Sequence, residues 1–249
     1  MKKMLSLLSF IFLTTSSAWA TTYPLTIENC GQKETFTKAP ERVVALGQNT
    51  AEILLLLGLQ DKMVASAFWP TKVLPQLAEQ NAKVPVLTVE IPTLESILAK
   101  NPDFVAAQIQ LLMGPNSKVA KREDFESVGI NTYLSPGMCA TKQNTGDIYG
   151  SRATLWNMSY VYQEIADFAK IFNVEDRGQQ VINDFKARES ALRKAFPKGK
   201  KDLSFLFWFS SSSPSADAYV GGKNGASGFI ANVLGGHNAI TTETEWPTV

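Results

Sequence analysis

Arg42-Val43-Val44-Ala45-Leu46-Gly47-Gln48-Asn49-Thr50-Ala51-Glu52-Ile53-Leu54-Leu55-Leu56-Leu57-Gly58 is the stretch that decides the fold class. Its opening, Arg42 to Leu46, is a short apolar run that reads as a buried strand and stops at Gly47. Asn49, three residues before Glu52, has the spacing of a helix cap with a capping box. Ile53 to Leu57 supplies an apolar face, and Gly58 closes the helix. The same unit recurs outward. Lys62 to Ser66 is a strand, followed by Phe68-Trp69-Pro70 and a short helix around Leu74 to Glu79. Thr93 to Leu98 is helical, Asn101-Pro102 breaks it, and Asp103 to Ala107 is the next strand. Arg122 to Val128 is helical, Gly129 caps it, and Asn131 to Leu134 is a strand. Upstream, Tyr23 to Phe36 is β-prone around a turn at Asn29-Cys30-Gly31. Strands alternating with helices predict a mostly parallel α/β sheet.

The stretch from Ser151 to Phe172 breaks this rhythm. Met158, Val161, Ile165, Phe168 and Phe172 recur at spacings of three and four, with no Gly or Pro, and predict one amphipathic helix. A second helical pattern runs from Glu175 to about Ala195 and ends at Pro197-Lys198-Gly199-Lys200. Leu203 to Phe209 then reads as one continuous apolar strand with Trp208 in its core. A Ser-rich loop from Ser210 to Ser215, a helix from Ser227 to Leu234 and Gly235-Gly236 follow. The predicted architecture is α/β, with two Rossmann-like lobes joined by a single long helix. The expected units are an N-terminal lobe over 21–150, a backbone helix over 151–172 and a C-terminal lobe over 173–249. The alternative is a single doubly wound domain in which 151–172 is an ordinary crossover helix.

The first twenty residues read as an export signal. Met1-Lys2-Lys3 is a positive n-region, Leu5 to Leu13 is an apolar stretch, and Ala18-Trp19-Ala20 is an A-x-A cleavage site. The apolar run is too short to span a bilayer. Its removal takes Lys2 and Lys3 away, so Lys+Arg falls from 24 to 22 against 23 Asp+Glu. A near-neutral chain argues against nucleic acid or an anionic membrane surface as the main partner. The only two cysteines, Cys30 and Cys139, are expected to pair as a disulfide in an oxidising compartment. With His237 as the one histidine and no C-x-x-C, no metal site is expected, and import of bare zinc or manganese is disfavoured.

Several motifs together resemble one family. They are Ala39-Pro40-Glu41-Arg42-Val43-Val44 leading into Asn49-Thr50-Ala51-Glu52-Ile53 and Leu57-Gly58, then Thr93-Leu94-Glu95-Ser96-Ile97-Leu98-Ala99-Lys100-Asn101-Pro102-Asp103. Val128-Gly129-Ile130, Ala169-Lys170-Ile171-Phe172 and Leu234-Gly235-Gly236-His237-Asn238 complete the set. Their order and spacing resemble the periplasmic binding proteins with a rigid helical backbone, a class that includes the vitamin B12-binding and ferric-siderophore-binding components of ABC importers. The resemblance implies two α/β lobes facing each other across a cleft, with the chain expected to lack the C-terminal end of that architecture and so to leave its second lobe incomplete.

In open α/β sheets, ligands bind outside the carboxyl ends of the strands. Those ends carry Gly47-Gln48-Asn49, Phe68-Trp69, Gln108, Ser135-Pro136 and Phe209-Ser210-Ser211. The candidate ligand-binding residues are Phe68, Trp69, Gln108, Tyr219, Lys223 and Trp246. Lys223, with Arg152 behind it, is the only cleft cation that can be nominated, which leans toward a ligand of low charge. The resemblance implies that aromatics at the positions of Phe68, Trp69, Tyr219 and Trp246 reach the ligand. It further implies that Glu95, early in its helix, pairs with arginines of a membrane permease. The expected function is that of a periplasmic, monomeric substrate-binding protein, with no covalent cofactor. Its small-molecule ligand is a metal chelate, a ferric siderophore or a corrinoid, delivered to an ABC transporter permease. The rival readings are a truncated, non-transporting paralogue and an exported α/β hydrolase. The hydrolase reading lacks a G-x-S-x-G and must draw every base role from His237.

Overall fold

Short apolar runs bounded by Gly, Pro and Asn become the strands of one sheet here, and the central ones are buried because they are covered on both faces. The computed structural model describes residues 20–69, 71–140, 142–143, 150–197, 203–213 and 215–249. The export signal expected over 1–20 lies outside the described residues, apart from Ala20. The chain opens with an antiparallel hairpin, β1 (Leu25–Asn29) and β2 (Gln32–Phe36). Its two central turn residues, Cys30 and Gly31, have φ of 52° and 82°, as a tight hairpin turn requires.

Five strands then form one parallel sheet: β3 (Val43–Leu46), β4 (Met63–Ala67), β5 (Val86–Thr88), β6 (Phe104–Ala107) and β7 (Asn131–Leu134), in the order β5-β4-β3-β6-β7. Between them lie α1 (Gln48–Leu56), α2 (Ala78–Asn81), α3 (Leu94–Leu98) and α4 (Arg122–Glu126). Every residue of β3 and β6 is buried. Val43, Ala45, Phe104 and Ala106 enter one core with Ile53 and Leu54 of α1, whereas Val44, Leu46, Val105 and Ala107 enter a second with Ile97 of α3 and Phe125 of α4. The alternation follows from the two-residue period of a strand. The mixed α/β architecture with a parallel sheet is therefore as the sequence predicts.

Contacts to β7, to α4 and to the loop after β7 fasten the hairpin to this layer, and Asn29 pairs directly with the Leu134 backbone at 2.8 and 2.9 Å. Arg122 Nη2 lies 3.0 Å from Glu34 Oε1, both side chains buried, and Arg122 Nη1 donates to the Asn29 carbonyl at 2.8 Å. Cys30 and Cys139 form the expected disulfide, with their Cα atoms 5.5 Å apart.

The expected helix over 151–172 needs correction. After β8 (Lys142–Gln143) comes β9 (Ser151–Arg152), so the segment begins as strand and loop. Asn157 Oδ1 accepts the Ser159 N–H at 2.9 Å, and α5 runs only over Ser159–Ile171. Backbone pairing of Arg152 N–H with the Glu243 carbonyl at 3.0 Å holds the preceding residues out of the helix. Along α5, Ile165, Phe168, Ala169 and Ile171 pack into the first core.

The longer rod is α6 (Glu175–Ala195), 21 residues and so about 31 Å. Near its start, Arg177 Nε donates to the Leu56 carbonyl at 2.8 Å, and Val181 and Ile182 join the first core. Near its end, Arg193 Nη1 donates to Asn232 Oδ1 at 3.1 Å. The element that reaches from the sheet to the C-terminal residues is thus α6, which returns antiparallel to α5.

The C-terminal residues form β10 (Ser204–Phe205), β11 (Trp208–Ser211), β12 (Ala218–Val220), α7 (Ala226–Val233) and β13 (His237–Asn238). The strands pair in two separate two-stranded ladders, β10 with β13 and β11 with β12. The continuous strand expected over Leu203 to Phe209 is therefore split, and Trp208, expected in a core, is 59% exposed. The reason is local: among the described residues β11 pairs with one strand, β12. His237 sits in β13 and is exposed, in keeping with a surface residue.

Candidate functional site

The sheet order places a topological switch between β3 and β6, because the chain leaves β3 toward β4 on one side and returns to β6 on the other. Ligands of open α/β sheets collect at the carboxyl ends of such strands. Here a cleft of about 370 Å³ opens at that point. Its floor comes from the strand ends: Asn49 after β3, Gln108 to Leu111 after β6, and Ser135, Gly137 and Met138 after β7. One side is the entry to α5, with Trp156, Tyr160 and Val161. The opposite wall is C-terminal: Phe207, Phe209, the first turn of α7 with Ile230 behind it, Glu245 and Trp246.

Local chemistry fixes the floor. The expected Asn49 cap is not formed; Gly47 occupies the cap position of α1, and Glu52 Oε1 instead accepts from Gln48 Nε2 at 3.0 Å. Gly47 has φ of 112°, and a Cβ there would stand 2.4 Å from Cβ of Gln108. Only glycine lets β3 turn this closely past β6. Gln108 Oε1 then accepts the Asn49 N–H at 2.9 Å, tying the two strand ends across the switch. Gln110 Nε2 donates to the Met138 carbonyl at 3.1 Å and does the same for the loop after β7.

Beneath the floor lies a buried carboxyl group. Glu164 of α5 has no solvent exposure. It accepts from Ser135 Oγ at 2.7 Å and from Thr50 Oγ1 at 3.0 Å. Burial pushes its pKa up to about 7; the two hydroxyl donors oppose that rise and the nearby Asp167 adds to it. Tyr133, which donates to Asp167 at 2.8 Å, is likewise held above the ordinary phenol range by its burial.

The two walls are tied by Arg152. Its side chain is fully buried; Nε lies 3.3 Å from Glu245 Oε1, Nη1 donates to the Ala140 carbonyl at 3.1 Å, and Nη2 donates to the Gly137 carbonyl. Backbone bonds run parallel to this contact, from Glu245 N–H to the Gly150 carbonyl at 2.9 Å and from Trp156 N–H to the Asn224 carbonyl at 2.7 Å. Aromatic rings meet across the same region. Trp156 lies 5.2 Å from Phe229, and Phe209 lies 5.4 Å from Trp246.

Of the residues proposed from the sequence, Gln108 and Trp246 line the cleft. Phe68, Trp69, Tyr219 and Lys223 do not, and each has a physical reason. The backbone N–H groups of Phe68 and Trp69 continue the pairing of β4 with the edge strand, donating to the Thr88 and Val89 carbonyls at 3.1 Å each. Their rings pack against the second and first cores respectively. Tyr219 is drawn into β12 opposite Ser210 and bridges to Thr248. Lys223 lies 3.5 Å from Glu243 and is not among the residues that line the cleft. Glu95 is exposed at the second position of α3, whose cap Thr93 accepts the Ser96 N–H at 3.2 Å. Trp156, Tyr160, Phe207 and Glu245 were not anticipated. Asn157 ahead of Ser159 was the available signal, since it marks a helix start that leaves Trp156 in the cleft-side loop. Among the described residues, no three His, Cys, Asp or Glu side chains are grouped to hold a metal ion. No described helix is long and apolar enough to cross a membrane.

Comparison with known proteins matches the chain to a family. Residues 43–249 match the family described as periplasmic binding protein. An uncharacterized ABC transporter substrate-binding lipoprotein of Bacillus subtilis (strain 168), YvrC, is 23% identical over 225 residues, which is 90% of this chain and 63% of that protein. The chain thus spans less than two thirds of the length of this curated relative. Among solved structures, a periplasmic binding protein from Veillonella parvula superposes with a TM-score of 0.70 at 19% identity, covering 90% of this chain and 71% of that one. An ABC-type Fe3+-hydroxamate transport system from Saccharomonospora viridis gives 0.70 at 24% identity, with 92% and 74% covered.

Proposed function

The chain belongs to the periplasmic binding protein family, and from that premise we propose that it is the extracytoplasmic, periplasmic substrate-binding component of an ABC importer. In this reading it binds a ferric-siderophore-type chelate and hands it to a permease. The observation that carries the proposal is the cleft at the switch between β3 and β6, with a polar floor at Asn49, Gln108 and Ser135 and aromatic walls from both ends of the chain. A pocket with mostly apolar lining and a few fixed polar groups is the form small-molecule sites take. The Bacillus relative and the Saccharomonospora structure support transport and a ferric ligand respectively through their own descriptions. Gln108 and Trp246 are the ligand contacts we propose. The protein acts as a monomer and performs no chemistry on its ligand.

Glu95 is the proposed permease contact. The dipole at the start of α3 favours a carboxylate there with or without a partner, so exposure alone does not establish the role. The test is a titration of the purified chain with ferric siderophores, with the iron-free siderophores and ferric ion alone as controls, followed by uptake measurements in cells. Saturable one-to-one binding of a ferric chelate is expected. Glu95→Ala should leave that affinity intact while lowering uptake. Absence of binding to every ferric chelate would overturn the proposal.

A further inference from the structure

Resting on the reading of the cleft as a chelate site, we infer that its ligand is a chelate with no net negative charge, such as a neutral ferric trihydroxamate, and that polyanionic catecholate or carboxylate chelates are rejected. The argument is one of charge accounting. Among the described residues that line the cleft, Glu245 is the one charged side chain, and no Lys, Arg or His is among them. The cation nearest to it is already committed. Arg152 is fully buried, its Nε faces Glu245 Oε1 at 3.3 Å, and its two terminal nitrogens donate to the Ala140 and Gly137 carbonyls. It therefore balances Glu245 and offers no charge to a ligand. The other nearby cation, Lys223, lies beside Glu243 at 3.5 Å and does not line the cleft.

A polyanion entering this space would lose hydration without gaining a cation from the described lining. The remaining walls reinforce the selection. The faces of Trp156, Tyr160, Phe207, Phe209 and Trp246 are electron-rich, attracting apolar or cationic surface and not anionic oxygen. The floor provides amide chemistry suited to neutral groups. Gln108 uses its carbonyl on Asn49 N–H, which leaves its NH2 as the donor available to a ligand. Gln110 uses its NH2 on the Met138 carbonyl, which leaves its own carbonyl as an acceptor. Gln108 and Gln110 thus offer a donor and an acceptor, which together match the hydroxamate and amide groups of a neutral chelate, whereas anionic oxygens use the donor alone.

The experiment compares three probes by quenching of intrinsic tryptophan fluorescence at fixed, physiological ionic strength: a neutral ferric trihydroxamate, a trianionic ferric triscatecholate and ferric citrate. The neutral complex is expected to bind at least roughly tenfold more tightly than either anion, because the anions shed hydration with no cation to replace it. Ile230→Lys places a cation on the cleft wall at a residue that is 45% exposed, so the fold should tolerate it. This variant should narrow the gap by tightening the anions selectively. Equal or tighter binding of the trianion by the unmodified chain overturns the inference on charge while leaving the transport reading standing. Failure of all three ferric complexes to bind, in a chain shown to be folded by circular dichroism, overturns the transport reading itself and the inference with it.

Discussion

The strands of the two halves differ in how they are covered, and the difference explains how the cleft is held. In the sheet of β3 to β7, the two strands that flank the switch have every residue buried, with a core on each face. In the C-terminal residues, Leu206 between β10 and β11 and Trp208 and Phe209 of β11 are 58%, 59% and 46% exposed. The first half is a scaffold that fixes the strand ends bearing Asn49, Gln108 and Ser135 by its own packing. The C-terminal wall is positioned differently, by ties to other parts of the chain: the Arg152–Glu245 pair, the backbone bonds of residues 150–156 to 224 and 243–245, and α6. Rigid floor and tied wall meet at the cleft.

The largest expected effect comes from the disulfide. It closes a loop of 109 residues and anchors the turn whose Gly137 and Met138 line the cleft. In the chain-entropy account a closed loop of that size contributes about 4.7 kcal/mol. Cys30→Ser with Cys139→Ser should lose most of that in urea unfolding; a loss under about 1 kcal/mol would show that the scaffold holds the turn unaided. Next is Phe104→Ala. Phe104 is fully buried, with ring centroids of Phe36, Phe172 and Phe168 at 5.5, 5.9 and 6.0 Å. A cost of about 3–5 kcal/mol is expected from the same unfolding measurement.

Much of this contrast was legible in the sequence, and the two halves were legible to different degrees for the same reason. β3, β4, β6 and β7 read correctly to within two residues, because a strand covered on both faces must be a continuous apolar run between breakers. β5 escaped notice: three residues after Pro85 are too short to show a period. Leu203 to Phe209 is as apolar as any of these runs, yet it is split and exposed, since local composition cannot report whether a partner covers it. The cleft residues divided likewise. Asn49, Gln108, Ser135 and Phe209 were reachable from the rule that ligands sit at strand ends. Trp156 was hidden inside a helix drawn too long, because the stripe from Met158 to Phe172 was extended back over residues with no apolar period; Tyr160 lies within α5 itself, off that stripe. Phe68 and Trp69 obeyed the strand-end rule in sequence but were carried off by pairing with the edge of the sheet.

Glu164 offers a pH test of the scaffold alone. Its pKa is raised from the ordinary carboxyl value to about 7, so the fold prefers the neutral acid. The stability that this preference contributes is complete below about pH 4.5 and is lost as pH rises through about 7. The fall between these limits should be on the order of 3 kcal/mol, given about 1.4 kcal/mol per pKa unit. Glu164→Gln retains hydrogen-bonding partners for Ser135 and Thr50 without an ionisable group. It should remove this component of the pH dependence and leave the variant more stable than the parent chain at pH 8. An unchanged pH profile by thermal unfolding would mean that the carboxyl is hydrated and the floor less closed than described. The smallest effect belongs to the exposed side of the comparison: Trp208→Ala should change stability by no more than about 0.5 kcal/mol. A cost of several kcal/mol would show that the β11 face is covered in solution.

The claim that the ligand lies between the fixed floor and the tied wall is tested most directly by asking which tryptophans report it. Trp156 and Trp246 line the cleft, whereas Trp69 packs against the first core and Trp208 faces solvent. Two double variants are titrated with a neutral ferric trihydroxamate and followed by tryptophan fluorescence. Trp69→Phe with Trp208→Phe should keep the affinity and most of the quench, while Trp156→Phe with Trp246→Phe should lose most of the quench and bind more weakly. Full quenching and unchanged affinity in the second variant, or loss of both in the first, would contradict the account.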